Sequence, residues 1–165
     1  MQGFPLKKLA VLVPFFVFAG CATVEGWRAG SITEGIPKLR DKLPRTEKIH
    51  FADPVNARGY VLHERNRKQV QDAFGKAFDG LGVSHSTETN GCTCTLHVVV
   101  DSWEYSDSGF LGSGDRDDIL MSVILLNRET DRVLTRATLE AHDLDILVDK
   151  YVKTLFEDEK RDSDT

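Results

Sequence analysis

Residues 119–141, with the sequence ILMSVILLNRETDRVLTRATLEA, decide the fold of this chain. The first part, 119–127, carries large apolar side chains at odd and even positions. This is typical of a central strand whose two faces are both covered, at least in part. A turn at 129–131 follows, and the residues after it alternate between inward and outward positions. The inward set is Val133, Thr135, Ala137, Leu139 and Ala141, and the outward set is Arg136, Glu140 and His142. The stretch therefore predicts two neighbouring strands of one sheet.

Two further strands and two helices flank this hairpin. Residues 48–52 and 94–103 alternate in hydropathy and predict strands. One apolar face recurs at helical spacing over 64–81 and another over 143–156, so both segments predict helices. Glycines close the first helix and an aspartate caps the second. The order β-α-β-β-β-α predicts an α+β fold, in which two helices pack on one face of a small, mainly antiparallel sheet.

The N-terminus has the pattern of an exported protein. Lys7 and Lys8 precede the apolar run 9–18, and small residues stand directly before Cys21. The tetrapeptide Phe18-Ala19-Gly20-Cys21 resembles the lipobox of bacterial lipoproteins, in which leucine is usual at the first position. The resemblance implies cleavage before Cys21, attachment of a diacylglyceryl group to its thiol, and acylation of the new amino group. Such a chain is held stably on a membrane by its lipids.

Two other interpretations of this segment compete with the lipid anchor. A transmembrane helix needs roughly 20 apolar residues, which is longer than this run, and Pro14 lies in its middle. An ordinary secretory signal would be cut after a small residue and would leave Cys21 without a role. Ala22 stands where lipoproteins of the inner membrane have aspartate. The resemblance therefore implies a location at the outer membrane, with the domain facing the periplasm.

The sequence predicts four parts. Residues 1–20 are the lipoprotein signal peptide, and 21–46 are the lipidated cysteine and a tether with scattered glycine and proline. Residues 47–157 are the periplasmic domain, and 158–165 are a charged tail. The 145 residues after the signal peptide are enough for one domain with its own core. A few apolar residues at helical spacing predict a short helix within the tether: Ile36, Leu39 and Leu43.

A second resemblance concerns the domain. It is carried by the helix over 70–81 that closes at Gly80-Leu81-Gly82-Val83, by the strand over 96–101, and by the hairpin over 125–134. Behind a lipobox, these features are similar to those of small outer-membrane lipoproteins. Their domains resemble the N-terminal domain of the Tol-system periplasmic protein and the lipopolysaccharide-assembly lipoprotein. The resemblance is architectural and carries over no functional residue.

Charge is distributed unevenly along the chain. The whole sequence has a net charge of −5, and the part after the signal peptide has −7. Residues 25–68 have a net charge of +4 and residues 69–165 one of −11. This distribution predicts either a basic neck that faces anionic lipid head groups or a solvated surface of uneven charge. No concentrated basic stripe occurs in the sequence, so no nucleic-acid partner is expected.

Cys92 and Cys94 form the first candidate site. In an oxidising compartment a spare pair invites a disulfide, either local or between molecules. Residues i and i+2 of a strand lie roughly 6.5–7 Å apart at Cα, the limit for an unstrained bridge. Free thiols with Cys94 in the core are therefore the other interpretation. A soft-metal site with His97 is disfavoured because His97 lies on the opposite face of the strand from Cys94, and no metal site is predicted.

The second candidate site is the loop over 107–118. It places Phe110 and Leu111 between glycines in an otherwise polar segment, and long loops in compact domains are often functional. We predict that Phe110 and Leu111 contact a partner or the membrane. The alternative is that both side chains fold back onto the sheet.

Catalytic motifs are absent from the sequence. It has no Gly-x-Ser-x-Gly elbow, phosphate-binding loop or nucleotide fingerprint, so we expect neither an enzyme nor a cofactor. The sequence predicts a membrane-anchored lipoprotein that binds an envelope protein as an accessory or assembly subunit. The alternative is a carrier or sensor lipoprotein that binds a small amphiphile or a cell-wall fragment between sheet and helices.

Overall fold

The computed structural model describes residues 29–58, 62–106 and 116–156. It contains two helices, α1 (Glu64–Leu81) and α2 (Leu144–Leu155). Three strands precede α1: β1 (Gly30–Glu34), β2 (Ile49–Phe51) and β3 (Val55–Asn56). Four strands lie between the two helices: β4 (His85–Ser86), β5 (Cys94–Ser106), β6 (Arg116–Asn127) and β7 (Arg132–Ala141). The α+β class is confirmed, and the six predicted elements correspond to β2, α1, β5, β6, β7 and α2. Neither described helix is long and apolar enough to cross a membrane.

The strands form a single sheet in the order β1-β7-β6-β5-β2-β4, and β3 also pairs with β5. The pairs β1–β7, β7–β6 and β6–β5 are antiparallel. Strands β2 and β3 each pair with β5 in parallel, and β4 pairs with β2 in parallel. Strands β3 and β7 therefore run in the same direction. Because α1 follows β3 and α2 follows β7, both helices begin at the same end of the sheet.

The core lies between the two helices and one face of the sheet. Leu96, Met121 and Leu139, one from each of the three long strands, are fully buried on this inner face. Phe74 of α1 and Val152 of α2 are fully buried against them in the same cluster. The predicted arrangement, with both helices on one face, is confirmed.

One row of paired residues marks the end of the sheet where the chain enters it. Gly30 of β1 pairs with Ala141, which pairs with Ile119, which in turn pairs with Trp103. We call this the entry end. The strands that lead to residues 107–115 extend beyond this row, through Ser106 and Arg116. The entry end thus brings together the start of β1 and both flanks of the loop singled out in the sequence.

Strand β1 corrects the boundary of the domain. The sequence predicts a tether over 21–46, but residues 30–34 form an edge strand that pairs with β7. Only Ile32 of this strand packs against the core, which is too weak a pattern to distinguish a strand from a linker. The folded domain therefore begins before residue 47.

The segment 35–48 crosses the far ends of the two helices. The Leu43 amide donates to the Leu155 carbonyl at 2.8 Å, and Arg45 Nη1 donates to the Leu81 carbonyl at 3.3 Å. This segment contains bends, a turn and an isolated bridge, so the helix predicted around Ile36 is wrong. Arg45 stabilises the C-terminal end of α1, because the free carbonyl groups and the helix dipole favour a cation there. Arg45 therefore lies at the helix ends opposite the entry end.

Strand β7 contains a second correction. The register between β6 and β7 shifts at Leu125/Leu126, where Leu125 pairs with Thr135 but Leu126 pairs with Val133. The extra residue of this bulge, Leu134, packs against the core. A bulge reverses the side-chain alternation on one side of it, so Val133 points outward and is 40% exposed. The predicted inward position of Val133 is wrong, while those of the other four residues in that set are confirmed.

The start of α2 depends on a single side chain, which provides a first prediction. Asp143 Oδ1 accepts a hydrogen bond from the Ile146 amide at 3.2 Å. Replacing Asp143 by alanine leaves that amide unpaired, and we expect a loss of about 0.5–2 kcal/mol in the free energy of unfolding. Urea denaturation measures the loss. Asp143→Asn keeps an acceptor and is the matched control; equal losses in both variants would contradict the capping role.

Candidate functional site

The side of the sheet away from the helices is the candidate site, and we call it the outer face. Alternate residues of each strand lie on it, and paired residues form rows across the strands. The middle row runs through Val55, Val99, Ser122, Thr138 and Thr33. Since three of these strands are ten or more residues long, the outer face is a broad surface with a defined register.

Large apolar side chains on the outer face are only partly covered. Leu120, on the central strand β6, is 37% exposed, and Val55, on the short edge strand β3, is 49% exposed. Three further apolar residues there are half-buried: Val99, Ile124 and Leu126. The double-sided apolar pattern of β6 is therefore correct, but no described helix packs on its second side. Exposed apolar surface bordered by polar residues is typical of interaction sites.

Polar and charged residues surround these apolar side chains. Three side-chain contacts hold them in place: Ser122 Oγ donates to Asp101 Oδ2 at 3.0 Å, Ser31 Oγ donates to Glu140 Oε2 at 3.3 Å, and His50 Nδ1 lies 3.2 Å from Thr95 Oγ1. Arg136 is exposed on the same face. Partial burial, and then the neighbouring His50, lower the pKa of His97. The face also carries the basic side chain of Arg136 and the acidic side chains of Asp101 and Glu140.

A cleft of about 400 Å³ lies between α1 and the β2–β4 edge of the sheet. Its walls include Phe51, Lys76, Asp79 and His85. Three of its charged or titratable wall residues are in ion pairs, because His85 Nε2 lies 3.1 Å from Asp79 Oδ1 and Lys76 Nζ lies 2.7 Å from an Asp145 oxygen. The cleft is open to solvent and does not enclose a ligand.

Both cysteines of the first candidate site are free and buried. Cys94 belongs to the core cluster, and Cys92 Sγ lies 3.5 Å from the Glu88 carbonyl oxygen. Burial raises the pKa of Cys94, and the Glu47 carboxylate raises it further. His97 lies on the outer face, as the strand parity predicts. This arrangement suits two packed thiols, and the raised pKa of Cys94 lowers its thiolate fraction.

Thiol labelling tests this arrangement and is the second prediction. Thiolate is the reactive form, so burial of both thiols, together with the raised pKa of Cys94, should protect both cysteines from iodoacetamide at pH 8 in the native protein. In denaturant without reductant, we expect both thiols to be alkylated, as mass spectrometry would show. If alkylation required a reductant as well, Cys92 and Cys94 would form a disulfide instead.

The remaining predicted site residues are Cys21, Phe110 and Leu111, and all three lie outside the described residues. The described residues next to the loop make two polar pairs at the entry end. Trp103 Nε1 donates to Asp117 Oδ2 at 3.1 Å, and His142 Nδ1 lies 2.6 Å from Asp118 Oδ1. Within the described ranges, no group of three potential metal ligands occurs.

Comparisons with known proteins relate the fold to solved structures. No protein-family model matches the chain, and no curated protein matches it. PelC from Paraburkholderia phytofirmans, solved as a dodecamer, is similar at 14% identity with a TM-score of 0.59; the match covers 79% of this chain and 99% of that chain. A second crystal form of the PelC dodecamer gives 13% identity and a TM-score of 0.58 over the same shares. A Xanthomonas campestris protein of the family DUF330 matches at 14% identity and a TM-score of 0.47, covering 78% of this chain and 89% of that chain. At these identities the likeness to PelC shows the fold alone.

The outer face is the part of the site that sequence reasoning did not identify. The sequence feature that indicates this face is the second set of apolar residues on β6, Leu120, Ile124 and Leu126. The pattern predicts that these side chains are covered at least in part. Sequence cannot tell whether a helix, a loop or another molecule provides that cover. The structure places both described helices on the other face, which makes the second apolar set of β6 a surface feature.

Proposed function

We propose that this protein is a lipid-anchored, periplasm-facing lipoprotein of the outer membrane that binds a protein partner as a non-enzymatic accessory or assembly subunit. The observation that carries the proposal is the outer face, on which Leu120 of the central strand β6 and Val55 of the edge strand β3 remain exposed. A flat surface with apolar residues inside a polar border fits another protein.

The structure favours a protein partner over a small amphiphile. A carrier of the predicted kind would need space between sheet and helices. That region is filled by fully buried side chains, Phe74 and Met121 among them. The cleft beside α1 is open to solvent, and charged side chains, Lys76 and Asp79 among them, line it. Ligand pockets are usually enclosed and mostly apolar, so the carrier function has the weaker support.

The lipid anchor supports the proposed location. The lipobox places the acylated residue at Cys21, nine residues before Gly30. Nine residues span at most about 32 Å when fully extended, so the domain would stay close to the membrane surface. The intact mass of the membrane-extracted protein tests this step: we expect residues 21–165 plus acyl groups. An unmodified chain that begins at another residue would contradict the anchor.

Two further features are consistent with the proposed role. PelC, which shares this fold, assembles with copies of itself into a dodecamer, so this architecture accommodates protein–protein interfaces. Both flanks of 107–115 lie at the entry end, through Ser106 and Arg116. We retain the proposal that Phe110 and Leu111 contact a partner or the membrane from that end.

Placing charge on the outer face tests the protein-binding role and is the third prediction. Leu120→Asp combined with Ile124→Asp puts two carboxylates on this face, and we expect at least a tenfold loss of cross-linked complexes in intact envelopes, since burying unpaired charge is costly. Ile146→Asp is the matched control, because Ile146 is exposed on α2. Thermal unfolding establishes that each variant is folded. Unchanged cross-linking of a folded double variant would contradict the role of this face.

A further inference from the structure

The charges of the outer face are arranged symmetrically about Thr138. On β7, Arg136 lies two residues before Thr138 and Glu140 lies two residues after it, and all three belong to the outer face. A two-fold axis that runs across the strands at Thr138 exchanges these two positions. It would bring Arg136 of one copy opposite Glu140 of a second copy, and the reverse.

The neighbouring strands have the same symmetry. Thr138 pairs with Ser122 on β6, so the axis exchanges Leu120 with Ile124 and matches an apolar residue with an apolar residue. On β5, Val99 pairs with Ser122 and would face its own copy. The register of β5 against β6 shifts between Val100 and Ser102, so His97 would face Ser102 and the adjacent bulged residue Asp101, whose carboxylate accepts the Ser122 hydroxyl at 3.0 Å. The exchanges nearest the axis are therefore complementary on β6 and β7, while one row further out on β6 Leu126 would face Asp118.

We propose that the outer face binds a second copy of this chain, face to face, about a two-fold axis that crosses the strands at Thr138. The proposal rests on the protein-binding role proposed for this face and names its occupant. Facing sheets pack about 10 Å apart with their strands within about 30° of one another. At that separation the long side chains of Arg136 and Glu140 can reach each other on both sides of the axis.

The size of the face is sufficient for such a dimer. Strands β1, β7, β6 and β5 lie about 4.8 Å apart, and ten residues extend about 33 Å, which gives a flat area on the order of 600 Å² before side-chain relief. A standard interface buries about 800 Å² on each partner. The outer face is thus of the right scale for one specific contact.

The same axis is compatible with two lipid anchors in one membrane. It runs parallel to the sheets and midway between them, from the β4 side toward the β1 side, so both copies present the β1 edge on the same side. Each β1 begins at Gly30, nine residues after Cys21. When the axis is perpendicular to the membrane, both tethers can reach the same bilayer. This step depends on the proposed anchor, whereas the charge pattern does not.

Charge reversal in the full-length protein, purified in detergent, tests the dimer. Light scattering should give a protein mass of two chains, or a multiple of two, for the unaltered protein. Arg136→Glu or Glu140→Arg alone should raise the dissociation constant at least tenfold, because like charges would then face each other. The two substitutions together should restore it to within about threefold. Lys150→Glu makes the same charge change on the exposed side of α2 and should have no effect.

Cross-linking at the axis gives a second readout. Thr138→Cys should be joined to its own copy by a thiol reagent about 8 Å long, since the two sheets are about 10 Å apart. Lys150→Cys should give no such product, and the buried Cys92 and Cys94 should not react. A monomeric unaltered protein, single reversals without effect, or a double reversal that fails to restore association would each overturn the dimer.

The outcomes also separate this inference from the function on which it rests. If the protein is monomeric but the Leu120→Asp/Ile124→Asp variant still loses its envelope cross-links, the dimer is overturned and the protein-binding role stands. If neither self-association nor envelope cross-linking depends on the outer face, both proposals are overturned.

Discussion

Replacing Phe78 by alanine is expected to cost about 3–5 kcal/mol in the free energy of unfolding, the range for removing a large aromatic side chain from a packed core. Phe78 is 1% exposed. The centroid of its ring lies 6.3 to 6.5 Å from the ring centroids of Phe51, Phe74 and Phe156. It lies 5.4 Å from the centroid of the His85 imidazole. These contacts join α1 to β2, to β4 and to the end of α2. The loss therefore removes packing between several elements at once.

Since a domain of this size is stable by about 5–15 kcal/mol, the Phe78→Ala variant should unfold at a much lower urea concentration or be unfolded in buffer. Circular dichroism during urea titration measures the shift. Ile146→Ala is the matched control, because Ile146 is 53% exposed on α2 and surface truncations usually change stability by about 0.5 kcal/mol or less. Equal midpoints for the two variants would show that the aromatic cluster does not hold the helices on the sheet.

The elements that sequence predicts well are those with long periodic patterns. Strands β5, β6 and β7 and both helices each repeat their apolar spacing over ten residues or more, and packing against one core preserves that pattern. β3 and β4 have two residues each, too few to show any period. β1 has five residues, but it is held by backbone hydrogen bonds to β7. These bonds do not require a particular pattern of side chains, so the sequence of β1 does not indicate a strand.

The candidate site was less accessible to sequence reasoning for a different reason. Hydropathy alternation predicts that Leu120, Ile124 and Leu126 share a face, but which face the helices choose follows from the crossover connections. The bulge at Leu134 reverses the alternation of β7, and nothing in the local sequence signals it. The symmetric placement of Arg136 and Glu140 about Thr138 has meaning only after the register of three strands is known.

Replacing Gly30 by alanine should detach β1 from the sheet. Gly30 has a φ of +121°, a conformation that costs a residue with a side chain about 1–3 kcal/mol. A Cβ atom at this position would also lie 1.9 Å from the Glu140 carbonyl oxygen, so the backbone of one strand must move. Gly80→Ala is the matched control, since a Cβ there meets nothing within 4 Å and alanine in a helix should raise stability by about 0.5–1 kcal/mol.

The consequence of Gly30→Ala extends to the membrane, because β1 is the strand that follows the proposed lipid anchor. Release of its five residues would lengthen the tether from Cys21 by up to about 18 Å. We expect amide hydrogens of residues 31–34 to exchange faster in this variant while those of β5 and β6 stay protected, and proteases to cut the released segment in membrane-bound protein. The same change would remove Ser31, which donates to Glu140, from the outer face. Protection of residues 31–34 equal to that in the unaltered protein would show that β1 tolerates a side chain at its first residue. The domain would then be held at its original distance from the membrane.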